Sequence, residues 1–240
     1  LSSSSAASDV YKRQVLEGYP ISYLGYGSAE TTRLMVEAMR HAFVDRNTAL
    51  GDPDFVDNPV EKLTSKAYAE EIRARIDPYR AGVSEDLRPA GASESTETTH
   101  YSIIDKDGNA VAVTYTLNGS FGTGKVAEGT GILLNNEMDD FTSKPGVPNL
   151  YGLVQGEANA IEPGKSPLSS MSPTIVSRDG KPFMVIGSPG GSRIITITLS
   201  AIMNVIDHGM DIQQAIDAPR IHHQWLPDSV AMEPYALSPD

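Results

Sequence analysis

The 240-residue chain contains no cysteine, which removes disulfides, thiolate metal sites and cysteine nucleophiles from consideration. Neither a cytosolic nor an exported protein is excluded by that. Long apolar runs are missing too: none approaches the roughly 18 residues that cross a bilayer. Positive charge is scarce, with 19 Lys and Arg against 31 Asp and Glu and a net charge of −12. The basic residues do not cluster, so nucleic acid and anionic membrane are excluded as main partners. The start lacks an initiator Met and the basic-then-apolar pattern of a secretory signal. Residues 1–14 have no periodicity and read as a non-native leader, set aside from the fold. The end, at Asp240, closes no element. The chain reads as a fragment.

What is present is an ordinary globular composition, 40% hydrophobic and 21% charged, at a length that fits one large domain or two small ones. Ser28 is a candidate N-cap for a helix over 28–49, with Leu34, Met35, Ala38, Met39, Ala42 and Phe43 on one stripe. A second helix is predicted within 60–76, followed by a long aperiodic loop over 78–97. At Thr98 the period changes to two. Segments 98–105 and 110–117 flank Lys106-Asp107-Gly108-Asn109, a hairpin turn signal. Residues 131–135 read as a short strand, and 136–167 as irregular. A second hairpin is predicted from 172–176 and 183–186 around Arg178-Asp179-Gly180-Lys181. A helix over 193–208 is rich in Ile and Thr, poor helix formers, which points to packing on a sheet. Asp211 caps a short helix to Ala218. Helices, then strands, then helices predict a layered α/β (α+β) fold with antiparallel sheets.

Three features carry chemistry. A polar run over 92–97 opens directly onto Thr98-Thr99-His100-Tyr101-Ser102. Cleavage between Glu97 and Thr98 would free an α-amine to act as base for the threonine hydroxyl. Such an amine has a pKa of about 7.7–8.0, so about a tenth of it is neutral at pH 7. Composition does not choose between Thr98 and Thr99, and both also suit a strand. The second feature is Gly187-Ser188-Pro189-Gly190-Gly191-Ser192 between a strand and a helix, an anion site for an oxyanion or phosphate. It lacks a Walker lysine and the spacing of a dinucleotide loop. The third is a polar set near strand ends: Asn118, the acidic run Glu137-Met138-Asp139-Asp140, and Ser169-Ser170. Together these suit a zwitterionic amino acid. The adjacent His222 and His223 invite a metal reading, but neighbouring side chains on an extended segment point apart.

Taken in order, Thr98-Thr-His-Tyr-Ser102, Asn135-Asn-Glu-Met-Asp-Asp-Phe141, Pro167-Leu-Ser-Ser-Met-Ser-Pro173 and Gly187-Ser-Pro-Gly-Gly-Ser-Arg193 closely resemble the γ-glutamyltransferase (γ-glutamyltranspeptidase) family. The resemblance runs from about residue 17 to the end. It implies an N-terminal-nucleophile hydrolase with an αββα sandwich, incomplete in this chain. It also implies a proenzyme cleaved between Glu97 and Thr98 into large and small subunits that form a heterodimer. Residues 15–97 would end the large subunit, and 98–240 would form a truncated small subunit.

The resemblance assigns the nucleophile to Thr98 and its orienting threonine to Thr116. It matches Asn118, Glu137 and Asp140 to the donor's α-amino group, and Ser169 and Ser170 to its α-carboxylate. Gly190 and Gly191 match oxyanion-hole amides, and Tyr151 the aromatic of a lid over 145–156 that closes through Asn118. The implied reaction is transfer of a γ-glutamyl group from glutathione or a related compound to water, an amino acid or a dipeptide, without a cofactor. The implied location is periplasmic or extracellular. Alternatives are a related acylase acting on glutaryl-cephalosporins or poly-γ-glutamate, and an unprocessed binding protein. Nucleotide or phosphate binding at 187–192 is a third. The family's large subunit extends upstream and supplies a carboxylate-binding arginine, so the fragment itself is expected to be inactive.

Overall fold

The computed structural model describes residues 4–84 and 98–240, with side chains from Val10 onward. The loop expected to carry the cleavage site, from 85 through Glu97, lies outside the described residues. Five helices come first: α1 (Ser4–Leu16), α2 (Ile21–Leu24), α3 (Ala29–Ala49), α4 (Val60–Leu63) and α5 (Lys66–Arg75). Strands β1 (Thr98–Ile104), β2 (Ala110–Thr116), β3 (Thr174–Arg178) and β4 (Lys181–Ile186) follow. Helices α6 (Ile194–Ile206) and α7 (Ile212–Asp217) and the short strands β5 (Ile221–His222) and β6 (Ala231–Met232) complete the chain. Among the described residues the strands form three two-stranded antiparallel sheets. The α+β class predicted from the sequence is the one observed.

Helix α3 organises the first half. The Ser28 hydroxyl accepts from the Thr31 amide at 3.1 Å, capping it as predicted. Its stripe enters the main core with Leu16, Ile72, Leu199 and Met203, contributed by α1, α5 and α6. At its C-terminal end, a Cβ on Gly51 would lie 2.2 Å from the Ala158 carbonyl oxygen. Only glycine lets the 157–160 turn dock there. The Ile- and Thr-rich α6 is packed on two sides. Ala201 and Ile202 meet Met184 and Ile186 of the β3–β4 hairpin, while Leu199 and Met203 face the helical core. Packing therefore overrides its weak propensity.

Three expectations are corrected. Residues 1–14 were excluded from the fold, yet Tyr11 and Lys12 are buried and Tyr11 belongs to the main core. The helix predicted over 60–76 is two helices, because the Ser65 hydroxyl accepts from the Tyr68 amide at 3.1 Å and starts α5 afresh. The strand predicted over 131–135 is reduced to an isolated bridge between Val126 and Leu133.

Candidate active site

The β1–β2 register sets Thr98 directly opposite Thr116. The Thr98 hydroxyl donates to Thr116 Oγ1 at 3.3 Å, and the Asn118 amide donates to the same oxygen at 2.9 Å. Two residues further along β1, the His100 ring bonds Thr114 Oγ1 at 2.7 Å and lies against Gly187, where a Cβ would be 2.3 Å away. Burial lowers the pKa of His100. The strand that begins with Thr98 is thus seated against the start of the glycine loop.

Asn118 leaves β2 in the left-handed region, with φ of 71°, a conformation that asparagine tolerates better than most residues. Its buried side chain donates to the Asn136 carbonyl at 3.3 Å, and Asn136 Oδ1 accepts from the Gly119 amide at 2.8 Å. The Tyr151 hydroxyl donates to Asn118, 2.5 Å from Oδ1 and 3.0 Å from the carbonyl oxygen. The Tyr151 ring in turn covers Gly191, where a Cβ would meet the ring carbons at 2.3 Å. Gly190 and Gly191 have φ of 131° and 56°, both in the range that favours glycine. Among the described residues no backbone oxygen takes either amide. One continuous chain of contacts therefore joins Thr98, Thr116, Asn118, Tyr151 and Gly191.

A second group holds the acidic turn and the serine pair. Glu137 and Asp140 bound one 3-10 turn, and among the described residues neither carboxylate accepts a hydrogen bond. Burial raises the pKa of Glu137. It pushes Asp140 up to about 7, against the pull of Arg46 and with the repulsion of Glu137 and Asp139. Asn159 joins this turn to the next: its amide donates to the Asp140 carbonyl at 2.6 Å, and its Oδ1 accepts from Leu168 N at 2.9 Å. Ser169 Oγ accepts from Met171 N at 3.0 Å, and Ser170 Oγ accepts from Arg46 Nη2 at 3.0 Å.

Sequence reasoning missed Arg46, Asn159 and Gln224 here. Arg46 continues the inward stripe of α3, three residues after Phe43 and four after Ala42, a position where a charge is itself a signal. Gln224 carried no signal. It lies behind the loop, donating to the Tyr151 carbonyl at 2.9 Å and accepting from Ser192 Oγ at 2.7 Å and from His222 Nε2 at 2.9 Å. Burial lowers His222 to about 4, so its ring is neutral at pH 7. His223 turns elsewhere, to Asp228 at 3.2 Å. Among the described residues no group of three or more ligand side chains suits a metal. A cavity of about 540 Å³ borders Tyr151, Gly190, Ser192 and Gln224 but takes in neither Thr98 nor Thr116. It backs onto the glycine loop, so we place the site by its hydrogen-bond network instead.

Comparison with known proteins agrees. The sequence model described as Gamma-glutamyltranspeptidase matches residues 2–240. A glutathione hydrolase proenzyme of Pseudomonas sp. (strain A14) is 63% identical over 227 residues, 94% of this chain and 40% of the relative. The chain thus spans about two fifths of that relative's length. The crystal structure of the Helicobacter pylori γ-glutamyltranspeptidase T380A mutant aligns with a TM-score of 0.57 at 61% identity, covering 59% of this chain and 76% of that one. A cephalosporin acylase from Bacillus halodurans aligns over 96% of this chain and 39% of its own, with a TM-score of 0.74 at 25% identity. An opposed threonine pair at the head of a hairpin, a Gly-Gly loop beneath a tyrosine and a match along nearly the whole sequence lead to one conclusion: the chain belongs to the γ-glutamyltranspeptidase family.

Proposed function

We propose that this chain carries the nucleophile and most of the donor pocket of a self-processing γ-glutamyl acyl-transfer enzyme. Cleavage between Glu97 and Thr98 gives Thr98 a free α-amine. That amine takes the hydroxyl proton as Thr98 Oγ1 attacks the γ-amide carbonyl carbon of glutathione or a related compound. The Gly190 and Gly191 amides receive the oxyanion. The carbon–nitrogen bond then breaks, the amine leaves with the proton, and a γ-glutamyl ester remains on Thr98. Water or the amine of an amino acid or dipeptide attacks that ester and regenerates the hydroxyl. Thr116 orients Thr98. Asn118, Glu137 and Asp140 take the donor's ammonium, Ser169 and Ser170 its carboxylate, and Tyr151 covers the pocket. The segments before and after the cut stay together as a heterodimer.

The single observation that carries this reading is the contact chain from Thr98 through Thr116, Asn118 and Tyr151 to Gly191. Among the described residues no helix is long and apolar enough to cross a membrane, and we place the enzyme in the periplasm or outside the cell. The acylase alternative has support in the Bacillus halodurans neighbour. However, a glutaryl donor has no ammonium for the carboxylates of Glu137 and Asp140, neither of which accepts a hydrogen bond among the described residues. The test is release of amine from a γ-glutamyl anilide by the processed product of the complete reading frame, with and without glycylglycine. Turnover that glycylglycine accelerates supports the proposal. Processed protein that releases amine from a glutaryl anilide and none from the γ-glutamyl one overturns it.

A further inference from the structure

Arg46 is 1% exposed, and no carboxylate among the described residues forms an ion pair with it. A charge buried without a carboxylate in direct contact is costly, and such costs concentrate at functional sites. Its Nη2 is spent on one turn, while Nε finds no hydrogen-bond partner among the described residues. Nη2 lies 3.2 Å from the Ser169 carbonyl oxygen, 3.4 Å from that of Leu168 and 3.0 Å from Ser170 Oγ, while Nη1 donates to Asn47 Oδ1 at 2.9 Å. Burial lowers its pKa to about 10, so it stays charged at pH 7.

These bonds have a directional consequence. Ser170 Oγ accepts from Arg46, and Ser169 Oγ accepts from Met171 N. Each hydroxyl is therefore held as an acceptor and keeps its proton to give to an anion. The charge behind them favours that anion. On the other flank Arg46 opposes the burial that raises Asp140, and Asn159 ties the Asp140 turn to Leu168. One buried cation on α3, upstream of Thr98, thus braces both ends of a zwitterion pocket that lies downstream of it.

We propose that Arg46 is the positioning residue of the donor pocket: it fixes the Ser169–Ser170 turn that takes the α-carboxylate. This rests on the proposed γ-glutamyl reading. Arg46 is 1% exposed, so its part is to position the groups that face the donor.

The test is steady-state kinetics of wild type, Arg46→Met and Arg46→Lys from the complete reading frame on a γ-glutamyl anilide, across about pH 5 to pH 9. Arg46→Met is expected to raise KM roughly 10- to 100-fold, the scale of lost hydrogen bonds to a charged group, with kcat changed far less. Its acidic limb in kcat/KM moves to higher pH, because Asp140 has lost its counter-charge. Arg46→Lys restores the limb but only part of the KM, since ammonium lacks the planar fork. An Arg46→Met enzyme with wild-type KM and limb overturns the proposal, as does a loss confined to kcat. Should Arg46→Met fail to fold, Arg46→Lys decides: wild-type KM overturns the proposal, and raised KM with an unmoved limb supports it. A processed wild type without γ-glutamyl turnover sinks the functional reading itself, which separates the two failures.

Discussion

At the scale of single residues, the proposed hold on the donor's ammonium depends on the charge of Asp140. Burial first, then Glu137 and Asp139, push its carboxyl from 3.8 up to about 7 while Arg46 pulls it down. The charged form exists above that value and is lost as pH falls through it. Donor kcat/KM is therefore expected to fall more steeply below about pH 7 than protonation of the Thr98 amine alone would give, and Asp140→Asn to remove that added steepness while weakening binding throughout. Stability runs the other way. Between 3.8 and about 7 the folded chain holds a proton that the unfolded chain has released, so this group destabilises the fold as pH rises through that window. Denaturant titrations of wild type and Asp140→Asn at several pH values read the difference directly. Gln224 gives a second test. Its side chain donates to the Tyr151 carbonyl and accepts from Ser192 and His222. Gln224→Glu turns that donor into an acceptor facing a carbonyl, and we expect a loss of about 1–3 kcal/mol in unfolding free energy, measured by denaturant titration, as for a buried unsatisfied group.

At the scale of elements, the loop between β4 and α6 depends on two glycines that cannot be exchanged. Gly191 combines φ of 56° with a Tyr151 ring in the space of a side chain. Gly191→Ala strains the backbone and displaces the tyrosine, and kcat is expected to fall by about 10²–10³, the cost of one misplaced oxyanion donor. Burst kinetics, which separate acylation from ester hydrolysis, check this. Much of this architecture could be read from the residues. Period-two alternation around Lys106-Asp107-Gly108-Asn109 located the β1–β2 hairpin, and capping residues located α3 and α7 at Ser28 and Asp211. The break between α4 and α5 was not legible, because Thr64 and Ser65 can sit inside a helix or restart one. The β5–β6 pair was not legible either, since two residues per strand carry no period. Motif order named the residues proposed to face the donor. Their supports, Arg46, Asn159 and Gln224, are fixed by tertiary contacts between distant segments, to which local patterns are blind.

At the scale of the whole molecule, the hairpins leave apolar surface uncovered. Tyr101, Ile103, Val111 and Tyr115 on β1 and β2 are each close to half exposed, on a sheet of only two strands. Two-stranded sheets are marginal in water and exposed apolar patches promote association. The 240-residue chain produced by itself is expected to bind a hydrophobic dye and to sediment as oligomers. Ile103→Lys with Val111→Lys should reduce both, which dye fluorescence and analytical ultracentrifugation would show. The central claim is that Thr98 becomes an N-terminus and the nucleophile. Its most direct measurement is intact mass of the product of the complete reading frame, before and after brief exposure to a γ-glutamyl donor. The account predicts two pieces divided between Glu97 and Thr98, a γ-glutamyl adduct on the piece that begins with Thr98, and a single unmodified chain for Thr98→Ala. An uncut wild-type chain, or an adduct that survives in Thr98→Ala, contradicts it.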